Sequence, residues 1–375
     1  MIHLSNASPS KRMDWGFLIV ITLLITVGLV NLYSATRPVP SLGLFSKQIL
    51  LYTVGFILFF CITLIKMEWF QKYAWWIYGA LVLMLALVLL AGKVVNGARR
   101  WIELGFFQLQ PSELIKIGLI LVYARLFSGG TFDLAFRPIP YTIAWHLVWL
   151  LPVGLIMKQP DLGTALICIF ISVSMFVVGR LHVLIKLAVL ALDTLIAVGV
   201  FLFGLSPYQR NRIVSFLSPE SDPLGLGWHA NQAIIAIGSG KWWGKGYLQG
   251  TRTRLRFVPE HWTDFPFAVL AEEWGFAGSC VVLILYACLI LWTLRIAHKA
   301  RDRFSRNVVI GCTALLLWHV VMNIAMVTRM APVVGVTLPL MSYGGSSLLT
   351  VLVALGFCMN VSMRNRANST FRLLS

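Results

Sequence analysis

Charged side chains are scarce. Asp, Glu, Lys and Arg together make up 12% of the 375 residues, about half the share of a soluble domain. Acids are scarcer still, 14 against 31 Lys and Arg, and this excludes an ordinary solvated surface. The six cysteines (Cys61, Cys168, Cys280, Cys288, Cys312 and Cys358) all fall in apolar stretches, with no CxxC pair and no Cys/His spacing. They read as small buried hydrophobes, which excludes a disulfide framework and a structural zinc. A phosphate loop is missing too. In Gly238–Gly246, Ser239 stands where the motif needs its first glycine and Gly246 where it needs Ser or Thr, so there is no ATP site. The net charge of +17 is spread among loops rather than gathered in one run, which argues against nucleic acid as a partner.

Apolar residues fill that space, at 58% of the chain. A hydrocarbon core of ~30 Å needs roughly 20 apolar residues per helix. Such windows recur ten times: Trp15–Tyr33, Gln48–Ile65, Tyr73–Ala91, Leu114–Phe127, Tyr141–Met157, Thr164–Val178, Leu181–Leu205, Phe265–Trp292, Val308–Val327 and Leu348–Met363. They predict an all-α integral membrane protein of about ten transmembrane helices, forming one polytopic domain over residues 1–375. The first window is too long for a signal peptide, and no small-residue cleavage site follows it.

With the N-terminus inside, the inner side collects 16 Lys and Arg, counting Arg125 and Lys186 near inner helix ends, and the outer side 14, seven of which lie in one long loop. Long loops escape the positive-inside rule, so the bias predicts an N-in, C-in chain. The large extracytoplasmic loop, about 206–263, then joins helices 7 and 8. The Gly-, Pro- and polar-rich stretches Asn96–Glu113, Lys158–Gly163, Pro207–Asp264 and Arg329–Ser347 all fall outside. Irregular polar segments converging on one face predict a single site there.

Within those stretches a few residues carry chemistry. Glu113 and Lys116 are three apart and share a helix face. Charges at that depth pair, either to fix helix packing or to serve function. Asp264 precedes Pro266 at the predicted start of the eighth helix. There it reads either as a helix cap or as a carboxylate base that the helix dipole keeps ionised. Glu272 and Glu273 follow roughly 12–14 Å further along and read best as structural acids. The outer cations Arg210, Arg212, Lys241, Lys245, Arg252, Arg254 and Arg256 alternate with Trp228, Trp242, Trp243 and Tyr247. Such a mixture suits a headgroup-level surface for lipid phosphates, with a short helix over Ala230–Ile237. Ser342–Ser347 reads as a tight turn or a backbone anion nest. Asp193 sits mid-window, seven residues beyond Lys186, without an evident role.

Taken together, Gly97–Ile102, Gln110–Lys116, Gln159–Thr164, Pro219–Gly225, Pro259–Glu260 with Thr263–Phe265, Ala271–Glu273 and Pro339–Ser347 resemble the SEDS family (shape, elongation, division and sporulation). The likeness runs in order along essentially the whole chain. Pro219–Gly225 and Pro332–Gly335 are closer to the elongation members than to the division members. The resemblance implies a peptidoglycan glycosyltransferase of the bacterial cytoplasmic membrane. It would polymerise lipid II at the outer leaflet, beside a class B penicillin-binding protein that cross-links the strands. It makes Asp264 the essential aspartate and Glu113 with Lys116 the intramembrane pair. This chain departs from the family at Trp262, where His is usual, at Pro266, and at Arg329, where a small residue is common.

Extending a glycan from a lipid diphosphate needs a base for the acceptor hydroxyl and cations for the leaving group. The diphosphate departs as a stable anion, so a second carboxylate is unnecessary. Asp264 is the expected base. Arg210 and Arg212, with Arg100, Lys116 and Lys245, are the expected diphosphate-binding residues, and a divalent cation such as Mg2+ would serve the same end. Two rivals stand beside this reading: a lipid II flippase using the same pocket, and a non-catalytic scaffold for the cross-linking enzyme. A flippase commonly carries internal repeats, and none is apparent here.

Overall fold

A computed structural model describes residues 13–37, 43–95, 98–103, 108–128, 138–179, 182–199, 204, 207–217, 226–254 and 262–372. Its helices are α1 (Trp15–Thr36), α2 (Leu44–Leu64), α3 (Met67–Ala91), α4 (Pro111–Ser128), α5 (Pro138–Lys158), α6 (Leu162–Val178), α7 (Val183–Gly199), α8 (Pro207–Leu217), α9 (Leu226–Ser239), α10 (Thr251–Arg254), α11 (Pro266–Lys299), α12 (Arg303–Val327) and α13 (Gly345–Arg372). Six of them, α1, α2, α3, α11, α12 and α13, are long and apolar enough to cross a membrane. Helices α4 to α7 overlap the other four predicted windows, of which Leu181–Leu205 is described only over 182–199 and 204. The predicted outer loop holds α8, α9 and α10, and the short helix expected over Ala230–Ile237 lies within α9. Pro219–Gly225 and Pro259–His261 lie outside the described residues.

The centre of the bundle is α4. Ile115 to Ala124 are buried on every face of the helix, as expected for one enclosed by others. It packs between α3 and α12, while α13 lies along α2 and α11 along α12. The outward faces of α1, α2, α3 and α11 expose large apolar side chains such as Ile19, Ile57, Leu83 and Ile284, the surface that lipid tails require.

One element was not anticipated. Strands β1 (Lys93–Val95), β2 (Ala98–Glu103) and β3 (Gln108–Leu109) form an antiparallel sheet in that order, between α3 and α4. Strands this short carry too little alternation to be read from sequence.

Buried amides close gaps between helices. Asn360 on α13 is fully buried, and its Nδ2 donates to the carbonyls of Ile62 (2.7 Å) and Ile65 (2.7 Å) at the end of α2. Asp193, unexplained by sequence, pairs with His146: Nε2 lies 2.9 Å from Oδ1, joining α7 to α5. That contact matters because α7 contains no buried residue. Replacing Asn360 with Leu leaves the α2 carbonyls without a donor in an apolar setting. We expect a loss of about 1–3 kcal/mol, read as a lower thermal unfolding midpoint in detergent.

Candidate active site

Asp264 sits in the turn that leads into α11 and is partly buried. It is not the helix cap that the sequence allowed. The N-cap is Phe265, which makes no side-chain cap bond, and Pro266 occupies the first turn, where its missing N–H costs nothing. Two buried asparagines hold the backbone on either side. Asn323 of α12 donates from Nδ2 to the Asp264 carbonyl (2.9 Å) and to Val336 O (2.7 Å), and Asn31 of α1 donates to Pro266 O (2.9 Å). Trp262 O accepts the Tyr343 N–H at 2.7 Å. The aspartate backbone is thus tied to two helices and to the segment preceding α13.

Its carboxylate faces a cation across a glycine. Asp264 Oδ2 and Arg212 Nη1 lie 3.5 and 3.8 Å from where a Cβ on Gly335 would stand. Gly335 also has φ +79°, a conformation that L side chains rarely adopt, so both space and backbone call for glycine here. Arg210, grouped with Arg212 on sequence, is exposed. Residues two apart on a helix do not share a face, and α8 separates them. Arg329, read from sequence only as a departure, is brought in instead. It lines a small cleft with Arg212, Ser215 and Val333, and its Nη1 donates to Asn231 Oδ1 at 2.5 Å.

The sequence motifs meet around this turn. Gly163 lets the start of α6 approach Val334, whose carbonyl would lie 2.5 Å from an added Cβ. Asp161 caps α6 through Thr164 N (3.2 Å) and accepts from Gln110 Nε2 (2.8 Å). Gln110 N in turn donates to Ser346 Oγ (2.7 Å) at the start of α13. Arg100 donates from Nε to Gln159 O (2.7 Å) and from Nη2 to Pro160 O (2.5 Å), fixing the bend before α6.

Beneath lies the intramembrane pair. Lys116 is fully buried, with Nζ 2.7 Å from Glu113 Oε2 and 3.0 Å from His319 Nε2. His319 Nδ1 lies 2.8 Å from Leu315 O, which assigns the proton to Nδ1 and leaves Nε2 as acceptor. His319 and Asn323 are four apart on α12, about 6 Å by helix rise, so the Lys116 cluster sits one turn below the amide that holds Asp264. The sequence reading passed over both residues. Their signal was a polar pair at helical spacing within an apolar window.

Lys245 goes elsewhere. Its Nζ lies 2.7 Å from Glu272 Oε1 and 2.7 Å from Thr251 Oγ1, roughly 12 Å along α11 from Asp264. Glu273 accepts from Ser34, which ties the loop-facing side of α11 to α1. The glycine-rich run around Lys245 has a backbone role. At Gly275 (φ 66°, ψ −161°) α11 breaks, and its ladder is lost across the break. The loop supplies what is missing. Lys245 N donates to Glu272 O (3.0 Å) and Gly246 N to Glu273 O (3.0 Å), while Lys241 O and Trp242 O accept from Phe276 N (2.8 Å) and Ala277 N (3.1 Å). An added Cβ at Gly240 or Gly244 would stand 1.9 Å from Ala271 O or 2.0 Å from Glu273 O.

Glu272 and Glu273 are therefore structural acids, as the sequence favoured. Among the described residues, no three His, Cys, Asp or Glu gather. A Gly244→Val variant cannot dock the loop. We expect it to lose about 1–3 kcal/mol of stability and to be cleaved faster within 241–246 in limited proteolysis.

Comparison with known proteins places the chain in a family. The chain is 36% identical over 363 residues to the peptidoglycan glycosyltransferase MrdB of Escherichia coli K12, covering 94% of this chain and 96% of that protein. It resembles a chain of a solved peptidoglycan synthase complex that coordinates polymerization and crosslinking. The TM-score is 0.78 at 35% identity, over 94% of this chain and 98% of the other. The crystal structure of the rod shape determining protein RodA of Thermus thermophilus matches with a TM-score of 0.69 at 32% identity, over 94% and 97%. The model of the FtsW/RodA/SpoVE family, described as a cell cycle protein, matches residues 14–367. This chain belongs to the FtsW/RodA/SpoVE family.

Proposed function

We infer that this chain is a membrane peptidoglycan glycosyltransferase that uses Asp264 as its base. The observation that carries the reading is the Asp264 carboxylate facing Arg212 across Gly335. A base and a cation are what extension from a lipid diphosphate requires. Asp264 takes the proton of the acceptor sugar's 4-hydroxyl as that oxygen attacks the anomeric carbon of the donor. The bond to the diphosphate breaks, and the departing anion is held by Arg212, with Arg329 beside it. The N-terminus of α11 adds a dipole that favours negative charge near Asp264.

The remaining cations divide by role. Arg210 lies exposed on α8, suited to a phosphate arriving from the membrane surface. Arg100 shapes the bend at 159–160, and Lys116, held by Glu113 and His319, supports α12 beneath Asn323. Lys245 stabilises the loop through Glu272. The substrate is lipid II, and the ten helical windows make a ten-span, N-in and C-in chain of the bacterial inner membrane, with Asp264 at the outer leaflet. A class B penicillin-binding protein is the partner, which the likeness to a synthase complex supports.

Asp264→Asn keeps the shape and removes the base. The purified variant should polymerise lipid II in detergent about 10²- to 10⁴-fold more slowly, and a wild-type rate would sink the base assignment. Arg212→Ala should cut kcat/KM by about tenfold or more, as expected for losing one charge-assisted hydrogen bond. Glycan formation in detergent also separates polymerisation from lipid transport, which has no meaning there.

A further inference from the structure

The opposite end of α11 carries a second concave site that the chemistry at Asp264 does not use. A cleft of about 430 Å³ is lined by Asp14, Trp292, Arg295, Ile296, Lys299, Arg301, Ser362, Asn365 and Arg366. That volume lies in the usual range of ligand pockets, roughly 300–1,000 Å³. Its floor is built. Asp14, at the start of α1, is buried and accepts from Ser362 Oγ (2.9 Å) and Trp292 Nε1 (3.2 Å), and it pairs with Arg366 Nη2 at 2.7 Å. The Trp292 ring reaches over α1 because Gly16 leaves room, an added Cβ there lying 2.3 Å from the ring.

Around this floor the charge is unbalanced. Arg366 answers Asp14, whereas Arg295, Lys299 and Arg301 are exposed and form no ion pair among the described residues. The C-terminal dipole of α11 accommodates cations, but it is worth only about half a charge. The Nδ2 of Asn365 is buried on the cleft wall with no acceptor. Three unpaired cations and an orphan amide donor call for an anion rich in oxygen acceptors. Beside the cleft, Trp15, Ile19, Leu291 and Leu294 remain exposed, an apolar surface for acyl chains. Tryptophan at the rim suits the membrane interface.

We propose that this cleft binds the phosphate headgroup of an anionic glycerophospholipid in the inner leaflet. Arg295, Lys299 and Arg301 surround the phosphodiester, Asn365 donates to one of its oxygens, and the acyl chains run along α1 and α11. The leaflet assignment rests on the N-in reading above. Lipid retention itself does not, since it is measured without polymerisation substrate, so failure of the Asp264 mechanism would leave the result standing.

The test is native mass spectrometry of the full chain in detergent, titrated with phosphatidylglycerol or with phosphatidylcholine of the same acyl chains. The wild-type protein should retain phosphatidylglycerol at least tenfold better. The combined Arg295→Ala, Lys299→Ala and Arg301→Ala variant should lose at least tenfold of that affinity, while Arg295→Lys with Arg301→Lys keeps it. Unchanged retention in the alanine variant, with a wild-type unfolding midpoint, would overturn the site. Displacement of the lipid by equimolar inorganic phosphate or glycerol 3-phosphate would overturn the lipid source and assign the cleft to a soluble phosphate.

Discussion

In a hydrocarbon environment every backbone N–H and C=O must find a protein partner, and at the break in α11 a long helix fails to supply its own. The break at Gly275 strips α11 of ladder bonds on both sides. Four backbone bonds from the 241–246 segment restore them. The first part of α11, which begins just after Asp264, is held in place by a loop as well as by its helical neighbours. Lys245 and Glu272 then lock that loop with a charge pair.

Placement of the aspartate follows from the same economy of polar contacts. Asn31 and Asn323 each spend amide hydrogens on the carbonyls flanking Phe265. The direction of the Asp264 carboxylate toward Arg212 therefore starts from a fixed main chain. One turn along α12, His319 receives Lys116, whose charge is matched by Glu113. The buried charges and the Asp264 backbone are connected through a single helix face.

Much of the architecture was legible because apolar windows are local features, and six of the predicted windows fall on helices long and apolar enough to cross a membrane. The convergence of Gln110, Asp161, Gly163 and Ser346 was legible only as coincidence of side, through loop parity. Their contacts could not be read, because they join segments far apart in sequence. Asp264 was ambiguous on its residues, since an aspartate before Pro266 also suits a cap. The family resemblance singled it out, and in the structure the N-cap is Phe265. Arg210 and Arg212 looked alike in the sequence and differ in the fold because adjacent polar positions on a helix diverge. The glycine-rich run lacks the residues of a phosphate loop, and its backbone role depends on a helix break about 30 residues away that no local pattern announces.

Outer loops ordinarily tolerate insertions and deletions freely. The stretch from Lys241 to Gly246 cannot, because its four hydrogen bonds match α11 residue by residue on either side of Gly275. One inserted residue would put the register out of step and strand polar groups at the membrane boundary. Among related chains, this surface segment should therefore vary in side chains while holding its length, the reverse of the habit expected from its exposed position.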